Sequence, residues 1–163
     1  MLICLKAKCK SSLTIDYQLI DILRSLSIQN RCCVISRKWF VTALDLYTYR
    51  SGASGSDALA LLLPETVLSS DGSGAYVSGE RLLERSSIVH QFEDGLFMRV
   101  IDESVSVTVL RDYKLRHGPA NFQSSNVDLE IRCGEAAAYE VVSDDEALIM
   151  HLADQFAVTK IIG

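Results

Sequence analysis

Chemistry in this chain would have to come from three histidines, five cysteines and a few acidic or glycine-rich clusters. Nucleophilic catalysis needs a serine or cysteine with a histidine in reach. His90 lies in a strand-like run between Val89 and Phe92 and reads as a packed residue. His117 stands in a Gly118-Pro119 loop, and the helical periodicity around His151 places it facing solvent. Neither GxSxG nor HExxH occurs. Cys4, Cys9, Cys32, Cys33 and Cys133 are odd in number and form no CxxC pair. They read as small buried or half-buried hydrophobes of a reducing compartment. Cys32 and Cys33 are adjacent, so their side chains diverge and cannot chelate as a spaced pair would. Asp144-Asp145-Glu146 stands where a helix N-terminus favours negative charge, which makes it a cap and not a metal site. Asp71-Gly72-Ser73-Gly74 resembles part of a calcium loop but lacks the later acidic ligands. Gly52-x-x-Gly55 lacks the third glycine and the preceding strand of a nucleotide-binding turn. The residues therefore point to binding rather than catalysis, with no metal and no cofactor expected.

The elements that would carry these residues follow from periodicity. Leu2 to Lys10 reads as a short strand. Ile15, Leu19, Ile22, Leu23 and Leu26 recur at helical spacing, with Thr14 as a plausible N-cap, and predict a helix over about 15–27. Trp39, Phe40, Ala43, Leu44 and Tyr47 share a helical face and predict a second helix over about 37–49. Ser51–Ser56 and Ser69–Gly74 are flexible breaks, so that a mobile loop is expected over about 51–74. Between the breaks sits Ala58-Leu59-Ala60-Leu61-Leu62-Leu63, stopped by Pro64. It is either a short buried strand or helix turn, or an exposed apolar loop that docks on a membrane or neighbour.

The second half reads as strands. Glu93-Asp94-Gly95 is a hairpin signature between residues 87–92 and 96–101. Val105, Val107 and Val109 alternate with Ser104, Ser106 and Thr108 as in a half-buried strand. Residues 114–125 read as a loop. Val127, Leu129, Ile131 and Cys133 alternate with Asp128, Glu130 and Arg132, a half-solvated strand, and 136–142 is its partner. Ser143-Asp-Asp-Glu146 is a capping box opening a helix over about 144–158. The fold class expected is α+β, with two N-terminal helices and a C-terminal helix packed on a small antiparallel sheet. At 163 residues the chain fits one domain.

Composition sets further bounds. Apolar residues make up 48% and charged residues 23%; mean hydropathy is +0.18. No apolar run nears the roughly 18 residues that would span a bilayer, and the N-terminus has its charges after its apolar residues, the reverse of a secretory signal. A cytosolic protein is the expectation. The net charge of −5 hides an asymmetry. Residues 1–50 hold eight Lys/Arg and three Asp, a net of +5, and the remainder holds eight basic and eighteen acidic residues, a net of −10. Either one face is built for anions such as phosphate or acidic lipid, or the two ends meet and neutralise each other.

The linear order resembles one family. Lys6-Ala-Lys-Cys9 leads through Ser11-Ser12 to Tyr17-Gln-Leu-Ile-Asp-Ile-Leu-Arg-Ser-Leu26. The second predicted helix ends near Ser51-Gly52, and Asp57 to Leu63 follows as a short apolar segment. Ala75-Tyr-Val-Ser-Gly-Glu-Arg-Leu82 and Asp128-Leu-Glu-Ile-Arg132 complete the set. Together these are similar to the globular domain of a rhabdovirus matrix protein, in a form nearest to a plant-infecting type. The likeness covers most of the chain through short motifs. Many relatives have a basic arm with a proline-rich budding motif; this sequence has no PPxY and is acidic.

The resemblance implies a viral structural protein of the virion and host cytoplasm, peripheral at membranes. It would self-associate, condense the viral nucleocapsid and link it to the inner face of the envelope during assembly and budding. Its implied partners are itself, the nucleocapsid, an acidic membrane surface and host proteins. A basic surface of Lys6, Lys8, Lys10, Arg37 and Lys38 would meet lipid or nucleocapsid. Leu59, Leu61, Leu62 and Leu63 would insert shallowly into a membrane or fill a groove on a neighbour. The rival expectation is a small cytosolic enzyme or regulatory ligand-binding module. In it the leucines are core, and His90, His117 or Cys133 lines a cleft.

Overall fold

The computed structural model describes residues 2–5, 9–10, 14–15, 18–29, 36–48, 51–64, 66–109, 122, 124–134, 138–156 and 158–162; for 2–5, 9–10, 14–15, 29, 67 and 158–162 it describes the backbone. The chain is α+β. The strands are β1 Leu2–Leu5, β2 Cys9–Lys10, β3 Thr14–Ile15, β4 Lys38–Thr48, β5 Gly52–Ser54, β6 Val67–Leu68, β7 Gly74–Ser78, β8 Val89–Val100, β9 Val127–Gly134, β10 Ala138–Ser143 and β11 Val158–Ile162. The helices are α1 Leu19–Gln29, α2 Gly55–Leu62, α3 Gly79–Ser86 and α4 Glu146–Gln155. Among the described residues one antiparallel sheet runs β11-β1-β10-β9-β8-β4-β7-β6, with β5 also on β4, and β2 pairs β3 separately.

The sheet has two unequal faces. One carries Trp39, Val41, Phe97, Leu129, Ile131 and Val141 against Leu19, Ile22, Leu23 and Leu26 of α1, Leu59 and Leu62 of α2, Leu82 of α3 and Leu148, Ile149 and Leu152 of α4. The other carries Phe40, Leu96, Met98, Val100 and Val127, with Tyr76, Val107 and Phe122 packed on them. Apolar burial on this scale dominates the stability of the fold.

The expected second N-terminal helix does not exist: residues 38–48 are β4, the strand between β8 and β7. Two features disguise it. Both faces are covered, so apolar and polar residues do not alternate. A bulge then resets the phase. Ala43 has a φ of 58°, and the pairing with β8 shifts between Thr42 and Asp45. Trp39 and Val41 face the helices before the bulge, Leu44 and Leu46 after it. A phase slip of this kind converts a two-residue period into spacings of three and four.

The expected hairpin at Glu93-Asp94-Gly95 is also absent, and β8 runs unbroken through it. Gly95 serves close approach, because a Cβ there would lie 2.8 Å from the Phe97 ring and 3.1 Å from Leu44 Cδ2. Residues 105–109 are not a strand, apart from a bridge between Val109 and Ser124. The segment expected as a loop over 114–125 lies largely outside the described residues. The small sheet of the sequence reading is thus a broad one. The strand that read as half-solvated, β9, buries Glu130 and Arg132 as well as its apolar residues. The C-terminal helix begins later than its capping box suggested: Asp145 is its N-cap, accepting from Leu148 N at 3.1 Å, and Ser143 Oγ accepts from Asp145 N.

Candidate interaction surface

Three of the four leucines proposed as a docking loop are in the core, and the fourth, Leu61, packs against it. Residues 51–74, expected as a mobile loop, contain β5, α2 and β6. Leu59, Leu62 and Leu63 are buried and Leu61 is half-buried. The reason lies at the C-terminal end of α2, where a helix leaves carbonyls without partners. Arg85 of α3 donates from Nε to Leu62 O and from Nη2 to Leu61 O, each at 2.8 Å. Leu63 N donates to Leu59 O, and Thr66 Oγ1 donates to Leu63 O at 2.6 Å. These bonds pin the segment so that its apolar side packs under the sheet.

The basic surface is only partly described. Lys6 and Lys8 lie outside the described residues, and Lys10 is placed in β2 by its backbone alone. Arg37 and Lys38 are brought together, but each is already engaged. Arg37 Nη1 donates to Ile101 O at 3.3 Å. Lys38 Nζ pairs with Glu103 Oε2 at 3.2 Å and lies 6.0 Å from the centre of the Tyr76 ring. Both cations thus brace the turn that follows β8.

That turn is built with care. Asn126, at a φ of 61°, donates from Nδ2 to Asp102 O at 2.8 Å and to Val105 O at 2.7 Å. Its Oδ1 accepts from Asp102 N at 3.0 Å, and its backbone carbonyl accepts from Ile101 N. Asp102 Oδ1 accepts from Ser104 N at 2.9 Å and Ser104 Oγ at 2.7 Å. These bonds, led by the Ser104 hydroxyl, hold the Asp102 carboxyl below its ordinary pKa. Val107 N donates to the Tyr76 hydroxyl, tying the far side of the turn to the sheet. The product is a stiff knuckle whose apolar side chains point outward: Ile101 and Val105 are each 50% exposed, and Val109 38%. Sequence reading missed it because alternation over 105–109 mimics a strand. The usable signal was Asp102 with Ser104 two residues on, a side-chain turn motif.

A second surface feature lies between α1 and α4. A groove of about 360 Å³ is lined by Asp21, Arg24, Ser25, Ile28, His151 and neighbouring α4 residues. His151 Nε2 lies 3.0 Å from Ser25 Oγ and 3.3 Å from Ser25 O, so it is half-buried between helices and does not face solvent as its periodicity suggested. Ile28 at the lip is 80% exposed.

The remaining sequence candidates separate. His90 is exposed and its carbonyl accepts from Gln18 Nε2, while His117 lies outside the described residues. Cys133 is buried and its Sγ donates to Phe92 O at 3.1 Å. Beside it, burial pushes the Tyr139 phenol well above its ordinary pKa. Asp71 accepts from Ser69 Oγ, Ser73 N and Ser73 Oγ within its own turn. No helix among the described residues is long and apolar enough to cross a membrane. Compared with known proteins, the chain matches no family model, no curated protein and no solved structure.

Proposed function

We propose that this chain is a viral structural protein of matrix type. It self-associates and links the viral ribonucleoprotein to the inner face of the envelope during assembly and budding, in the virion and host cytoplasm and peripherally at membranes. The reading draws on the resemblance of the sequence. The observation that carries its assembly function is the rigid presentation of Ile101 and Val105 by the Asn126 brace. Ordering a loop is a main cost of association, and here it is met before contact.

The magnitudes fit assembly better than tight pairwise binding. Fully burying a large aliphatic side chain contributes about 1.5–3 kcal/mol. Ile101 and Val105 are already half-covered, so the two together add about 1.5–3 kcal/mol, too little for even a millimolar complex, which needs about 4 kcal/mol. A productive junction therefore needs added burial and charge pairing from the surface that receives these side chains. Charge at the turn is balanced, Arg37 and Lys38 against Asp102 and Glu103, which suits a protein partner; the acidic membrane contact is left to other parts of the chain. Light scattering against salt and concentration tests the reading. Large assemblies should grow as salt falls and protein rises, and a fixed small species under all conditions would overturn it.

A second reading, a small enzyme or ligand-binding module, has one observation in its favour: the hydrogen-bonded Ser25–His151 pair opening on a groove. A serine-reactive fluorophosphonate probe decides it. Covalent labelling that Ser25→Ala removes supports the enzyme form of this second reading; no labelling removes that form.

A further inference from the structure

Resting on the assembly reading above, we infer that the turn of one copy seats in the α1–α4 groove of a second copy, in a head-to-tail contact that repeats. Two features that look unrelated within one chain become complementary between two. The turn offers branched aliphatic side chains, Ile101 and Val105, on a backbone fixed by Asn126. The groove offers an opening of about 360 Å³ with Ile28 standing 80% exposed on its lip. That volume is at the small end of binding pockets and suits a pair of side chains better than an organic ligand.

Charge sets the orientation. On the turn, Glu103 is paired with Lys38, while Asp102, whose carboxylate accepts from Ser104 N and Oγ, is exposed. On the groove, the Asp21 carboxylate is engaged, accepting from Gln18 N at 3.0 Å, and Arg24 is exposed. Asp102 on the knuckle and Arg24 beside the cleft are opposite charges flanking matching apolar centres, which fixes register and steers encounter.

The fold keeps the two features apart within one chain, so their meeting takes a second copy. α1 and α4 pack on one face of the sheet, whereas the segment leading from the turn lays Val107 on the other. One chain cannot bring the two together. Each copy presents the knuckle on one side and the cleft on the other, so the contact is heterologous, and the rotation between copies decides whether it builds a filament or a ring.

Two exposed-site variants test this without risk to the core. Ile28→Asp blocks the cleft and leaves the knuckle. Ile101→Asp with Val105→Asp blocks the knuckle and leaves the cleft. Sedimentation velocity should show each variant alone as a monomer. An equal mixture should form a one-to-one heterodimer and nothing larger, because both outer ends are blocked. A wild-type chain that assembles beside a mixture that stays monomeric would overturn this docking pair while leaving the assembly reading intact. So would either variant that assembles like the wild type. A wild-type chain that never associates would overturn both.

Discussion

Asn126 and Asp102 exchange two hydrogen bonds, the Asn126 amide donating to Asp102 O at 2.8 Å and accepting from Asp102 N at 3.0 Å. One side chain thereby replaces the backbone ladder that would otherwise have to close the turn. Asn126→Ala removes these bonds and the one to Val105 O, and leaves a residue poorly suited to a φ of 61°. At about 0.5–1.5 kcal/mol per bond, discounted for exposure, the expected loss is about 1–3 kcal/mol. Urea denaturation measures it, and faster proteolysis between residues 101 and 109 should accompany it.

Gly95 is expected to tolerate nothing larger. Gly95→Ala would press a methyl 2.8 Å from the Phe97 ring and 3.1 Å from Leu44 Cδ2, costing about 1–3 kcal/mol as overpacking. A thermal melt that matches the wild type would contradict this close packing.

How far the sequence foretold this structure can be followed at single residues. The apolar periodicity of Ile22, Leu23 and Leu26 marked α1, and the alternation of Leu129, Ile131 and Cys133 marked β9, because each of these sets shows one core a constant phase. β4 was hidden because Ala43 breaks that phase in mid-strand. Gly95 misled because glycine serves both turns and close contacts, and only a three-dimensional neighbour such as Leu44 tells them apart. The leucines of α2 were ambiguous for a related reason. Their burial depends on Arg85 capping from a helix some twenty residues on, a partner that spacing does not reveal. The groove pair Ser25 and His151 is 126 residues apart in sequence, and so was invisible to any local motif.

The α2 leucines should behave as core. Leu62 is fully buried, so Leu62→Ala should cost about 2–5 kcal/mol in chemical denaturation. Half-buried Leu61 should cost visibly less. An equal, small loss at both positions would restore them to the surface.

Arg132 stands between two buried carboxylates. Its Nε and Nη2 donate to Glu130 Oε2 at 3.0 and 2.8 Å, and Nη1 lies 3.9 Å from Glu140 Oε2. Arg132→Leu strands both acids and should destabilise by about 3–5 kcal/mol, whereas replacing all three with apolar residues of similar volume should be neutral or better. Urea titrations of the two variants decide this, and a milder loss in Arg132→Leu than in the triple replacement would contradict it.

Asp71 gives a pH signature. Hydrogen bonds, led by that from the Ser69 hydroxyl, lower its pKa from 3.8 to about 2. A carboxyl with a depressed folded value favours the folded state fully above the unfolded value and loses that contribution as pH falls through the folded one. Asp71→Asn should therefore lower the urea midpoint at neutral pH, and the gap to wild type should close between pH 3.8 and about 2. A gap independent of pH would assign the effect to lost geometry alone.

The most direct test is the oligomeric state of the chain with Ile101→Ser and Val105→Ser, compared with wild type by sedimentation velocity over a wide concentration range. Wild type should shift to large species as concentration rises, and the double variant should remain monomeric with an unchanged melting temperature. A variant that assembles as readily as wild type would contradict a turn-driven scaffold.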